Sequence, residues 1–123
     1  PGCSVVEGKD ITPVKVKALA DAADACWSAI QTRNLPAFAA AFAASFQAQI
    51  AMFPAMVNPV AYGKPCPDAS VEPYIQKYSQ MSGVLAWKMP GAGGGGYLAL
   101  VVEDAKVFAQ EHKEAIELCI RRQ

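Results

Sequence analysis

Five glycines fall within the six positions Gly91-Ala92-Gly93-Gly94-Gly95-Gly96, and Lys88 stands three residues ahead of them. Each glycine beyond what a turn requires costs roughly 0.5–1 kcal/mol of backbone entropy relative to alanine, and a two-residue hairpin needs only one or two residues with positive φ. The excess implies that another group approaches this backbone closely. A run of N–H groups without side chains can cradle phosphate oxygens or pack beneath another phosphate loop, and each charge-assisted contact contributes about 1.5–3 kcal/mol. Lys88 is then a candidate phosphate contact, set against the ordinary role of a strand lysine that faces water.

Familiar phosphate motifs do not fit the segment. Gly91, Gly93 and Gly96 have the spacing G-x-G-x-x-G, but a dinucleotide fingerprint opens a helix, whereas a strand is expected after Gly96. A protein-kinase glycine loop does lie between strands, yet V-A-I-K, H-R-D and D-F-G are all missing from the chain. No Gly-Lys-Ser/Thr supplies a Walker A loop.

The remaining candidates have plainer readings. Asp21 and Asp24 share a helix face, a pairing that can serve acid–base or metal chemistry, but a solvated surface accounts for them. His112 lies one turn from Phe108 and Ala115, which places it beside a core rather than in catalysis. Cys3, Cys26, Cys66 and Cys119 are scattered, without C-x-x-C and with a single histidine in the chain, so the spacing predicts no metal site. Reduced thiols in a cytoplasmic protein are expected. Cys66, between Pro65 and Pro67, has no neighbour in sequence that would activate it.

Charge and length narrow the classes further. Eleven basic and eleven acidic residues balance, so the electrostatic footprint of a nucleic-acid binder is missing. The 123 residues suit one domain, 1–123. The chain opens at Pro1 with no basic or apolar leader, and reads as a piece of a longer protein. No charge occurs from Leu35 to Asn58, a length that raises the question of a membrane span. Pro36, Pro54, Gln47 and Gln49 interrupt that stretch, alanine dominates it, and its large residues form one stripe, so a helix with one apolar face is expected and no membrane partner.

The elements that must position the glycine segment follow from periodicity. Thr12-Pro13 opens a helix carrying Val16, Leu19, Ala20, Ala23, Cys26, Trp27 and Ile30 and ending near Gln31. Asn34 caps a second helix, with Leu35, Phe38, Phe42, Phe46, Ile50 and Phe53 on one face and Pro54 as its end. The short connection predicts an antiparallel helical hairpin in which Trp27 and the phenylalanine stripe supply most of the buried area. Residues 54–68 read as an irregular passage with room for a short edge strand between Met56 and Tyr62. Asp68 or Ser70 caps a third helix, with Pro73 in its first turn, Tyr74, Ile75, Tyr78 and Met81 as its apolar side and Gly83 as its stop. Val84–Met89 and Tyr97–Val102 form an antiparallel strand pair around the glycine segment. Asp104 caps a last helix with Phe108, Ala115, Ile116, Cys119 and Ile120 on its apolar side. The class is α+β, a small antiparallel sheet with helices on one face. Such a sheet needs more than two strands, and Cys3–Val6 is expected to belong to another.

Lys88-Met89-Pro90-Gly91-Ala92-Gly93-Gly94-Gly95-Gly96-Tyr97 resembles the third signature motif of the GHMP kinases (galactokinase, homoserine kinase, mevalonate kinase, phosphomevalonate kinase), which runs lysine, leucine, serine or threonine, then G-A-G-G-G-G. Pro90 stands where that motif has a hydroxyl residue. The likeness in sequence spans residues 84–102, and over residues 12–83 it is one of element order. It implies the ferredoxin-like α/β sandwich of the GHMP C-terminal domain, in an enzyme that moves the γ-phosphoryl group of ATP, with Mg2+, to a small-molecule substrate such as a sugar or sugar phosphate. The family's other ATP-binding motif and its catalytic carboxylate belong to an N-terminal domain and do not occur here. This chain would then hold no catalytic residue. Gly91, Ala92, Gly93, Gly94, Gly95 and Gly96 would wall the phosphate and acceptor site, Lys88 would touch phosphate, and Gln47, Gln49 and Asn58 would line the acceptor side. The N-terminal domain would be its partner, and without it the uncovered apolar face would favour self-association. The alternative is a stand-alone ferredoxin-like ligand-binding or regulatory module without catalysis.

Overall fold

A computed structural model describes residues 11–90 and 97–119. Among them the elements are α1 (Pro13–Gln31), α2 (Leu35–Met52), β1 (Val60–Ala61), β2 (Lys64–Pro65), α3 (Glu72–Ser79), β3 (Val84–Lys88), β4 (Ala99–Val102) and α4 (Ala105–Glu111), with single 3-10 turns at Pro54–Met56 and Pro67–Ala69. The class is α+β. The expected strand at Cys3–Val6, the glycine segment Gly91–Gly96 and Ile120 lie outside the described residues.

Capping sets the helix starts. Thr12 Oγ1 accepts the Lys15 N–H at 3.2 Å, Asn34 Oδ1 accepts the Ala37 N–H at 3.0 Å, and Asp104 Oδ1 accepts the Val107 N–H at 3.1 Å. Each satisfies an N–H that the first helical turn leaves without a partner. At the third helix Ser70 is the residue that serves, its Oγ accepting the Glu72 N–H at 3.3 Å. That helix ends at Ser79, so Gly83, at φ +86°, forms the turn into β3 rather than the helix stop.

The join between α1 and α2 is a Schellman turn built on an arginine. The Asn34 N–H donates to Ala29 O at 2.9 Å and the Arg33 N–H to Ile30 O at 3.2 Å, which leaves Arg33 left-handed at φ +54°. Glycine is the usual occupant of that position. The tight reversal lays α1 along α2 as the expected hairpin.

The packing of that hairpin departs from expectation. Ala22 and Ala29 are the buried residues of α1, and with the half-buried Lys15, Leu19 and Cys26 they form a stripe at 15, 19, 22, 26 and 29. Trp27 lies one residue off it and is 52% exposed. Alanines therefore set the helix separation, and Trp27 does not anchor it. The phenylalanine stripe serves the other side of α2. Phe46, Met56, Val57 and Met89 form one buried cluster, with Ile50, Phe53, Val71, Ile75, Trp87 and Leu98 packed against it, while Phe38 and Phe42 pack on Ala39, Ala86 and Val101. Two faces of α2 are thus used, as in a helix buried on several sides. Full burial of Phe46 contributes about 1.5–3 kcal/mol. By length and composition α2 is also apolar enough to cross a membrane, and in the structure Ala39, Ala41, Ser45, Phe46 and Met52 are buried within the fold.

β3 and β4 are antiparallel, with Lys88 opposite Ala99, Trp87 opposite Leu100, Ala86 opposite Val101 and an irregularity before Val84 opposite Val102. The expected pair is present, although β3 stops at Lys88 and β4 begins at Ala99, not Tyr97. The edge strand proposed for Met56–Tyr62 shrinks to Val60–Ala61, which pairs with Lys64–Pro65 in a separate two-stranded ribbon. Its corner residues, Tyr62 and Gly63, have φ +53° and +78°, the pattern of a type I′ turn. A left-handed non-glycine residue costs roughly 1–2 kcal/mol.

Two further expectations are corrected. α4 ends at Glu111 and does not carry Ala115, Ile116 and Cys119 as a helical face; Ile116 and Leu118 are 82% and 80% exposed. His112 closes that helix and stacks on Phe108, with ring centroids 4.3 Å apart. Its Nδ1 lies 3.4 Å from Glu114 Oε1, which also accepts the Tyr78 hydroxyl at 3.2 Å. Cys26 and Cys119 are free thiols, but Cys66 is disulfide-bonded, so the expectation of uniformly reduced cysteines fails there.

Candidate functional site

The site is built at the end of β3. Lys88 is the last residue of that strand, pinned opposite Ala99, and one step before the buried Met89. Burial of Met89 in the cluster around Phe46 fixes where the backbone leaves the strand and enters the glycine segment. Alternation along β3 therefore sends the Lys88 side chain in a direction set by the core rather than by its own charge.

Lys88 does not simply face water. It is half-buried, and its Nζ donates to Gln49 Oε1 on α2. Desolvation holds the amine below the ordinary lysine range, with Cys26 supplying a smaller opposing effect. Burial likewise pushes the Cys26 thiol up, and the positive charge of Lys88 works against that. Strand β3, helix α2 and helix α1 thus each contribute one group. Nothing in the spacing of Cys26 announces it as a neighbour of Lys88; the only clue is its membership of the core stripe of α1.

Among the described residues, neither of the other expected acceptor-side residues hydrogen-bonds to Lys88. Gln47 is exposed on α2, because two residues along a helix turn a side chain to nearly the opposite face. Asn58 Oδ1 accepts the Ser70 hydroxyl at 2.7 Å, fastening the passage after α2 to the start of α3. Asp21 is in a solvent-exposed pair with Lys17, 2.8 Å apart, as a surface carboxylate should be. Among the described residues no group of three or more His, Cys, Asp or Glu side chains is arranged to hold a metal ion.

Chemically, the arrangement offers a fixed cation beside the entrance to a glycine-rich backbone. An ammonium has three donors, of which Gln49 takes one. Its charge acts more strongly where water is partly excluded. No family model, curated protein or solved structure matches the chain. The functional argument therefore stands on these residues.

Proposed function

We propose that this chain is the C-terminal domain of a GHMP-type kinase that transfers the γ-phosphoryl group of ATP to a sugar, sugar phosphate or related small-molecule acceptor. The observation that carries the reading is the antiparallel register closing at Lys88 opposite Ala99, which brackets the glycine segment between paired strands, in the order that the resemblance requires. The order of helices before it, two long and one short, supports the reading, since the resemblance over residues 12–83 is one of element order.

In this reading Gly91, Ala92, Gly93, Gly94, Gly95 and Gly96 present backbone N–H groups to the phosphate loop of an N-terminal domain, and Lys88, steadied by Gln49, offers positive charge to phosphate. Phosphoryl transfer depends mainly on positioning and charge stabilisation, so one wall of the site does not turn over alone. ATP and Mg2+ are assigned to the surface shared with the N-terminal domain, and the reaction is cytoplasmic.

The test is ATP-dependent phosphorylation of a panel of sugars, sugar phosphates, homoserine and mevalonate, by the full-length gene product and by this 123-residue chain. Turnover by the full-length protein alone supports the split site. Absence of turnover and of ATP binding in both overturns it and returns the glycine segment to the role of a binding module.

A further inference from the structure

Helix α1 carries two apolar stripes, one residue apart. The stripe at 15, 19, 22, 26 and 29 packs on α2. Val16, Ala20, Ala23, Trp27 and Ile30 repeat the same alternation of four- and three-residue steps, the spacing by which helices pair along a seam. This second stripe stays open. Val16 is 48% and Trp27 52% exposed, Ala20 and Ala23 are exposed, and Ile30 is half-buried. A helix with apolar residues over so wide an arc is suited to being covered on more than one side.

The open stripe matches itself when reversed. It is small at its middle, Ala20 and Ala23, and larger toward its ends, Val16 and Trp27. A twofold axis between Ala20 and Ala23 sets Val16 of one copy against Trp27 of the other at each end, while alanine meets alanine at the axis and lets the helices approach closely. Charge selects the same arrangement. Lys17 and Asp24 border the stripe on one flank, about two helical turns apart, and both are exposed. In antiparallel copies each Lys17 comes level, within about 3 Å along the axis, with Asp24 of the second copy. Parallel copies would set lysine against lysine and aspartate against aspartate, which is unfavourable.

We infer that α1 is the self-association face of this chain, on which a second copy docks antiparallel along Val16, Ala20, Ala23 and Trp27, with Lys17–Asp24 pairs at the border of a twofold dimer. Eleven basic and eleven acidic residues leave no net charge to oppose the meeting of two copies. The interface is a single pair of 19-residue helices, smaller than a standard protein interface. The dimer is therefore populated in concentrated solution and disperses on dilution.

Sedimentation equilibrium over a concentration series of the 123-residue chain tests this. The expected mass rises with concentration from 13.0 kDa toward twice that value, more steeply at low than at high salt. Ala23→Glu, at an exposed helical position, leaves the circular dichroism spectrum unchanged and removes the association. Lys17→Glu and Asp24→Lys each weaken it roughly 3- to 10-fold, and the double swap brings it back to within about twofold of wild type. A monomer at every concentration overturns the inference, as does a dimer indifferent to Ala23→Glu or one that the double swap fails to restore. A dimer of this chain that is lost in the full-length gene product assigns the stripe to another part of that longer protein, and overturns the inference as well.

Discussion

Lys88 at the end of β3 donates a hydrogen bond to Gln49 on α2, across 39 residues of sequence. The bond joins the strand that leads into the glycine segment to the central helix of the fold, and holds a partly desolvated cation in place. The pH dependence follows from its depressed pKa. Below the folded-state value both folded and unfolded states carry the proton, and the desolvation cost is constant. As pH rises through that value toward the unfolded value of 10.5, the unfolded chain binds more protons, so wild type gains stability relative to Lys88→Met. Urea midpoints of the two proteins, measured from neutral pH upward, should move in that direction; a constant difference would count against the buried amine. On the proposed kinase reading, Lys88→Met should also weaken ATP-dependent turnover, and Gln49→Leu should do so by a smaller factor.

Thiol chemistry should rank the cysteines. Cys119 is exposed, whereas Cys26 is half-buried with its pKa raised by desolvation, so iodoacetamide at neutral pH should modify Cys119 first. Since Cys66 is disulfide-bonded, the denatured protein should titrate fewer than four thiols until a reductant is added. A full count of reactive thiols without reductant would refute that bridge.

The arginine in the interhelical turn should be replaceable with a gain. Arg33→Gly removes a Cβ from a left-handed position and should stabilise by about 0.5–1 kcal/mol, the relief of strain being offset in part by glycine's entropy in the unfolded chain. Asn34→Ala at the next position deletes the α2 cap and should cost about 1 kcal/mol. Chemical denaturation of both variants checks the opposite signs.

Two large aromatic residues should behave very differently. Phe46 is 2% exposed and Trp27 52%, so Phe46→Ala should cost about 3–5 kcal/mol, and Trp27→Ala much less. Equal losses would mean that Trp27 is covered in solution, as self-association of an uncovered face would require. Light scattering would then settle the association directly.

Local signals in the sequence specify much of the fold. Thr12, Asn34 and Asp104 each mark a helix start, because a side-chain oxygen at that position meets an N–H only three residues away. The strand pair on either side of the glycines is equally local, since two β-rich runs stand close together in the sequence. Other features depend on which faces meet. Trp27 looks like a core residue by periodicity, but the α1 stripe runs through Lys15, Leu19, Ala22, Cys26 and Ala29, a difference of one residue that hydrophobicity alone does not resolve among so many alanines. The last helix looks longer than it is, because the stacking of His112 on Phe108 and its approach to Glu114 accompany a turn out of the helix.

The sequence by itself determined the order of the four helices and of β3 and β4, the caps at Thr12, Asn34 and Asp104 and the glycine segment with its lysine, all set by interactions within a few residues. Tertiary structure decided the environment of that lysine. Only the packing of α1 on α2 and of α2 on β3 brings Cys26 and Gln49 to Lys88, and there partial loss of water shifts the amine and the thiol in opposite directions. It also decided where Tyr62 stands, because a left-handed tyrosine survives only when the strands on either side of it are held by contacts made elsewhere.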